Sequence, residues 1–140
     1  MKISDIMTRN VEVARPTDTI QTVAQRMADL DVGSMPVCDG DRLLGMITDR
    51  DLAIRALAKG RSGDTPVTEM MTPDIEYSFE DDDLHEVAEK MASQQIRRLP
   101  IVNRDKKLVG IVALADIARE DKDKRVGETV EKISQPERGF

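Results

Sequence analysis

Polar and apolar positions change period along the chain, and each change marks an element. In "IQTVAQRMADL" the apolar residues Ile20, Val23, Ala24, Met27, Ala28 and Leu30 recur three and four apart. That spacing places them on one stripe of an amphipathic helix over residues 19–30. Thr17 or Asp18 just ahead can accept a backbone N–H at the helix start. "VEVA" (11–14) alternates and is rich in Val, which predicts a short strand. "MPVC" and "LLGMIT" are short apolar runs separated by the turn sequence "DGDR", so 35–48 is expected to form a β-hairpin. "DRDLAIRALAKG" returns to helical spacing and stops at Gly60 after Lys59. The same order then recurs: strand 75–78, helix 83–93, strands 99–102 and 107–112, helix 114–119.

The recurrence is a repeat of sequence as well as of pattern. At an offset of 64, "ISDIMT" (3–8) aligns with "VTEMMT" (67–72), "VAQRMA" (23–28) with "VAEKMA" (87–92), and "SMPV" (34–37) with "RLPI" (98–101). Met7, Thr8, Glu12, Asp18, Val23, Ala24, Met27, Ala28 and Pro36 are identical to their partners. Beyond the hairpin the offset becomes 65, pairing Gly45 with Gly110 and Asp51 with Asp116. The extra residue falls in the turn, where it leaves strand faces unchanged. The expected organisation is repeat 1 at 1–62, repeat 2 at 63–120, and a charged tail at 121–140 in which Val126, Val130 and Ile133 permit one short helix. A β-α-β-β-α unit of this size buries little surface alone. The expected fold is therefore α+β, with two repeats packed by pseudo-two-fold symmetry around one core, sheets inward and helices outward.

Composition narrows the function. Aromatic residues are 2% of the chain, so the core is aliphatic, and a net charge of −6 speaks against a nucleic-acid module. Cys38 is the one cysteine, which excludes an intrachain disulfide and a cysteine metal cluster. No apolar run reaches the ~20 residues of a membrane span, and "MKISDIMTRN" lacks a secretory apolar stretch. A cytoplasmic setting without membrane contact is expected. "EDDDLHE" (80–86) carries five carboxylates and the single histidine, His85. Its partner "PTDTIQT" has neither feature, and an acidic first turn is what a helix start prefers, so no metal site is expected. No nucleophile, base and orienting group occur together, so no catalytic residue is assigned and an enzyme is not expected.

The element order, the lead-ins "IMT" and "MMT", "MPV" and "LPI", and the corners "GMITDRD" and "GIVALAD" together resemble a tandem pair of cystathionine-β-synthase-type (CBS) domains. The resemblance covers residues 3 to about 119. It implies a stand-alone regulatory (Bateman) module that binds an adenosine-containing ligand (AMP, ADP, ATP, NAD or S-adenosylmethionine) in the cleft between the repeats. It also implies a homodimer, formed through the second helices around Leu52–Leu57 and Ile117, and output through a downstream protein of unknown identity. No catalytic cofactor is implied. The alternative is an interaction module that dimerises without ligand.

On this resemblance the corner at 45–51 is the prime candidate site. A helix start offers unpaired N–H groups to an anion. There Thr48 can add a hydrogen bond to a phosphate, with Met46, Ile47, Asp49 and Arg50 beside it. Asp51, one turn on, suits the ribose hydroxyls, and Gly45 permits close approach of the backbone. The competing reading is that Thr48 or Asp49 caps the helix and Asp51 favours its first turn. In the second corner Asp116 is kept, but Ala113 replaces Thr48, so unequal sites are expected. Arg98, ahead of Pro100, is the favoured phosphate partner from the other repeat, over Arg97. In repeat 1 the aligned pair is Gly33 and Ser34, and Ser34 is included in the site. The purine walls are expected from Val11, Val32, Met35 and Pro36 in one repeat and Ile75, Ile96 and Pro100 in the other. For each of these, plain core packing is the alternative.

Overall fold

The computed structural model describes residues 1–120; the tail, and the short helix expected in it, lie outside the described residues. Nearly every expected element is present. Helix α1 spans Ile20–Leu30. Strands β1 (Ser34–Asp39) and β2 (Arg42–Thr48) form the hairpin, turning at Gly40 with φ 60°. Strand β3 is Thr72–Pro73 and β4 is Ser78–Phe79. Helix α2 (Leu84–Gln94), strands β5 (Arg98–Val102) and β6 (Leu108–Ala113) and helix α3 (Leu114–Glu120) complete the chain. The fold is mixed α+β with two tandem repeats, each built on a three-stranded sheet.

Four details differ from the sequence reading. Residues 11–14 do not form a strand; only Ala14 bridges to Val37, in parallel. The second copy of that segment shrinks to β4, which runs parallel to β5. The cap of α1 is Thr19, whose side chain accepts from the Thr22 N–H, while Asp18 instead accepts from Arg15 N. The helix after β2 opens at Asp49 and Arg50, winds as a π-helix over Asp51–Ala56, tightens to a 3-10 turn at Leu57–Lys59 and ends at Gly60 in the left-handed region.

The compact units cut across the sequence repeats. One unit is Glu12–Ile75; the other joins Met1–Val11 to the chain from Glu76 onward. Each lead-in therefore serves the sheet of the other repeat. In the Glu12–Ile75 unit, β3 begins on the threonine of the "MMT" lead-in and pairs antiparallel with β2, Thr72 opposite Met46 and Pro73 opposite Gly45. In the other unit, Thr8 of "IMT" bridges antiparallel to Ile111 on β6. A Cβ on Gly45 would collide with the Thr72 carbonyl oxygen, and one on Gly110 with the Met7 side chain and the Thr8 carbonyl. The paired glycines thus leave room for the lead-ins.

Each unit has its own aliphatic core. In Glu12–Ile75 it is built by Ile20, Val23, Met27, Met35, Val37, Ile47, Val67 and Met70. In the other it is built by Ile3, Leu84, Val87, Met91, Leu99, Ile101, Val112, Leu114 and Ile117. Strand alternation turns Ile47 and Val112 into these cores and leaves Met46, Thr48, Ile111 and Ala113 on the opposite, half-buried faces.

Candidate functional site

The β2 corner is a reciprocal cap. Thr48 Oγ1 accepts from the Asp51 N–H at 3.0 Å, and Asp51 Oδ2 accepts from the Thr48 N–H at 2.9 Å. This is the capping-box arrangement, which satisfies two helix-start donors at once. The Asp49 N–H donates to the Gly33 carbonyl at 2.9 Å, and the Arg50 N–H to Asp49 Oδ1 at 2.8 Å. All four N–H groups from Thr48 to Asp51 are therefore engaged. The expectation of an open anion nest of backbone donors at this helix start is overturned, because the chain's own side chains and the Gly33 carbonyl occupy it. What the corner still offers is the Thr48 hydroxyl hydrogen and a carboxylate held in place. Asp51 Oδ1 lies 3.8 Å from Arg55 Nη1, and the Asp51 side chain is 15% exposed, so the acid is sheltered but reachable. Ser34 sits directly opposite Thr48 in the β1–β2 register, adding a second hydroxyl position.

The β6 corner is built on the same frame with different chemistry. Arg98 stands opposite Ala113, and the Leu114 N–H donates to the Arg97 carbonyl at 2.9 Å, matching the Asp49–Gly33 bond. Ala113 has no hydroxyl to cap the helix. Asp116 pairs with Arg119 on its own helix. Arg97 and Arg98 are both exposed, as are Asp49 and Arg50 in the first corner.

The apolar candidates divide by burial. Met35 and Ile47, at 1% and 0% exposure, are core residues of their unit, and Pro36 and Pro100 are each buried in the strand that carries them. Met46, Val11, Ile75 and Ile96 are half-buried, and Val32 is 41% exposed. Val32 belongs to a different feature. A groove of 650 Å³ runs between α1 and the π-helical segment, lined by Met27, Val32, Leu52, Ala53, Ala56 and Leu57 among others. Leu57 is 77% exposed at its edge. Ile117, expected at a dimer contact, is instead fully buried in the core of its own unit. The sequence reading missed this groove's walls on α1, because it set Ala24 and Ala28 on one stripe with Met27, whereas the structure buries Met27 and exposes both alanines along the groove.

Cys38 is buried in β1, where burial, reinforced by the nearby Asp41 charge, pushes its thiol up to about 11. It is a neutral core residue at ordinary pH. Among the described residues no group of three or more His, Cys, Asp or Glu is placed to hold a metal, and no helix is long and apolar enough to cross a membrane.

Two sheets of this order, each with a Gly-to-Asp corner between its last strand and the following helix, define a CBS-domain pair. The CBS-domain family matches residues 3–57 and 67–123, and the chain belongs to it. It is similar to the CBS domain-containing protein YhcV of Bacillus subtilis, 45% identical over 116 residues covering 83% of this chain and 82% of that protein. Among solved structures it resembles Hypoxic Response Protein I with two coordinated zinc ions, at 37% identity and TM-score 0.78, covering 86% of this chain and 99% of that one. It also resembles CBSX2 in complex with AMP, at 26% identity and TM-score 0.75, covering 85% and 94%.

Proposed function

We propose that this protein is a regulatory module that binds an adenosine-containing nucleotide, with Asp51 accepting from the ribose hydroxyls and the Thr48 hydroxyl serving a phosphate. The observation that carries the reading is the reciprocal Thr48–Asp51 pair. It fixes a sheltered carboxylate in one rotamer beside the end of β2, so little ordering cost remains for a ligand to meet. The AMP complex of CBSX2 supports the choice of ligand class. With the backbone donors engaged, the phosphate falls to the Thr48 hydroxyl and to cationic side chains such as Arg50. The Asp116 corner, which has no hydroxyl at Ala113, is the weaker site. Isothermal titration with AMP, ADP, ATP, NAD and S-adenosylmethionine tests the reading. Asp51→Ala should weaken the tightest of them about tenfold or more, from loss of a charge-assisted bond, and Asp116→Ala should weaken it less. The absence of heat with all five would refute it.

The groove along α1 supports a second reading, an interaction module that dimerises without ligand. Leu57 projects beside an apolar groove on the same surface, which is the self-complementary arrangement a two-fold dimer needs. Light scattering should then show a dimer that Leu57→Glu dissociates. A dimer that also takes up nucleotide unites the two readings as a cytoplasmic, non-enzymatic sensor acting on another protein.

A further inference from the structure

Both units contain the same polar clamp, assembled from positions exactly one repeat apart in alignment. In the first, Arg26 on α1 donates from Nη1 to the Val13 carbonyl at 2.7 Å and from Nη2 to Glu12 Oε2 at 2.9 Å. In the second, Lys90 on α2 donates from Nζ to the Tyr77 carbonyl, and pairs with Glu76 Oε2 at 3.5 Å. At the offset of 64, Arg26 matches Lys90, Val13 matches Tyr77 and Glu12 matches Glu76. The turn beyond is tied alike: Asp18 Oδ2 accepts from the Arg15 N–H and Asp82 Oδ2 from the Phe79 N–H, each at 2.9 Å.

The place where the clamps take hold is informative. The chain passes from one unit to the other between Val11 and Glu12, and again between Ile75 and Glu76. Each clamp thus grips the first residues of an incoming segment. These segments have little ladder of their own. Ala14 makes a single bridge, and β4 has two residues. Val11 and Ile75, immediately upstream, are half-buried and belong to neither core cluster. A side-chain cation therefore does the holding that a longer strand would do.

We propose that Arg26 and Lys90 are positioning residues for nucleotide binding: each pins the backbone carbonyl two residues after a purine wall, Val11 or Ile75, and so fixes that wall. This rests on the nucleotide-binding reading above. A wall displaced by even 1 Å loses contact with a planar ligand. Arginine suits the first clamp because its planar fork reaches a carbonyl and a carboxylate together; lysine in the second is a point charge.

The test uses the full chain with AMP, in titrations at a temperature where every variant is folded. Arg26→Met should raise the AMP Kd about tenfold. Arg26→Lys, which copies the second clamp, should keep the Kd within about threefold of wild type. Glu12→Gln, which spares the carbonyl bond, should change it less than about twofold. A purely structural role predicts a lower urea midpoint for Arg26→Met with an unchanged Kd, and that result overturns the proposal. So does an Arg26→Lys variant as weak as Arg26→Met, or, should Arg26→Met fail to fold, a Glu12→Gln variant weaker than Arg26→Lys. Wild-type protein that binds none of the nucleotides removes the reading beneath the proposal and the proposal with it. Wild-type binding with unchanged Arg26→Met affinity removes the clamp alone.

Discussion

Gly45→Ala is the sharpest test of how the lead-ins dock. An added Cβ would collide with the Thr72 carbonyl oxygen and stand 3.1 Å from Met71 Sδ and 3.2 Å from Pro73 Cα. Two of these three obstacles are backbone of β3, which pairs with β2 at this point, so they cannot swing aside as a side-chain end can. Forcing a methyl into a well-packed site costs about 1–3 kcal/mol, and a nearest neighbour that is backbone places this case in the upper half. Replacing a strand glycine by alanine otherwise returns about 0.5–1 kcal/mol. A net loss of about 1–2.5 kcal/mol is the balance of these two terms. Urea unfolding followed by circular dichroism measures it as a lower midpoint at constant slope. Gly110→Ala should lose less, because its nearest obstacle is the flexible Met7 side chain, although the Thr8 carbonyl at 2.9 Å still resists. Gly63→Ala meets only Gln21 side-chain atoms at 3.3 Å and serves as the control. If Gly45→Ala matches wild-type stability while AMP affinity falls, the glycine serves a ligand and not the lead-in, and the reasoning fails.

Thr48→Ala removes an acceptor from the Asp51 N–H, and should cost about 1 kcal/mol in urea unfolding; it should also weaken AMP more than adenosine, whereas equal losses would free the hydroxyl of any phosphate role. The Cys38 thiol, raised from 9.0 to about 11 in the fold, contributes stability that is complete below the unfolded value and is lost as pH rises through the folded one. Between pH 8 and 11 wild type should therefore lose up to about 3 kcal/mol more than Cys38→Ala, and identical pH profiles would contradict this. The same thiol should stay silent to a disulfide reagent at pH 8 until urea exposes it.

The helices and hairpins were legible because each is specified by neighbours in sequence. The stripe from Ile20 to Leu30 and the apolar runs flanking "DGDR" carry their period locally, and the structure places α1, β1 and β2 within a residue or two of the expected bounds. The exchange of lead-ins was not legible. "ISDIMT" and "VTEMMT" are equivalent by repeat symmetry, so the sequence is equally consistent with either docking onto either sheet. The choice lies in contacts far apart along the chain, such as Thr8 with Ile111. The glycines opening both corners were visible, but their neighbours were not, and at Gly45 close approach was credited with room that the Thr72 carbonyl occupies. Thr48 and Asp51 do lie side by side, as residues three apart at a helix start should. That their mutual bonds would use up the local backbone donors depends on rotamers, which spacing does not report. The π-helical winding over Asp51–Ala56 had no signal in the apolar pattern, because Leu52, Ala56 and Leu57 suit either winding.

The divergence between the corners can itself be reversed by one residue. Ala113 aligns with Thr48, and Asp116, like Asp51, lies three residues further along at the start of its helix. Thr in place of Ala113 would set an oxygen within reach of the Asp116 N–H, while the Asp116 carboxylate, now paired with Arg119, would gain the option of accepting from the residue 113 N–H. Exchanging an exposed Asp–Arg pair for a cap is favourable, because surface ion pairs contribute about 0–1 kcal/mol and a cap about 0.5–2 kcal/mol. Ala113→Thr should therefore stabilise the protein by about 0.5–1 kcal/mol, with threonine also suited to the last residue of β6. The substitution leaves Arg98 in place opposite position 113, so the second corner would then carry both a hydroxyl and a cation. Its affinity for AMP should rise toward that of the first corner, read as a second binding step in titration. A variant that is less stable than wild type would show that the two corners differ in backbone as well as in side chain, and that the missing hydroxyl follows from that difference and does not cause it.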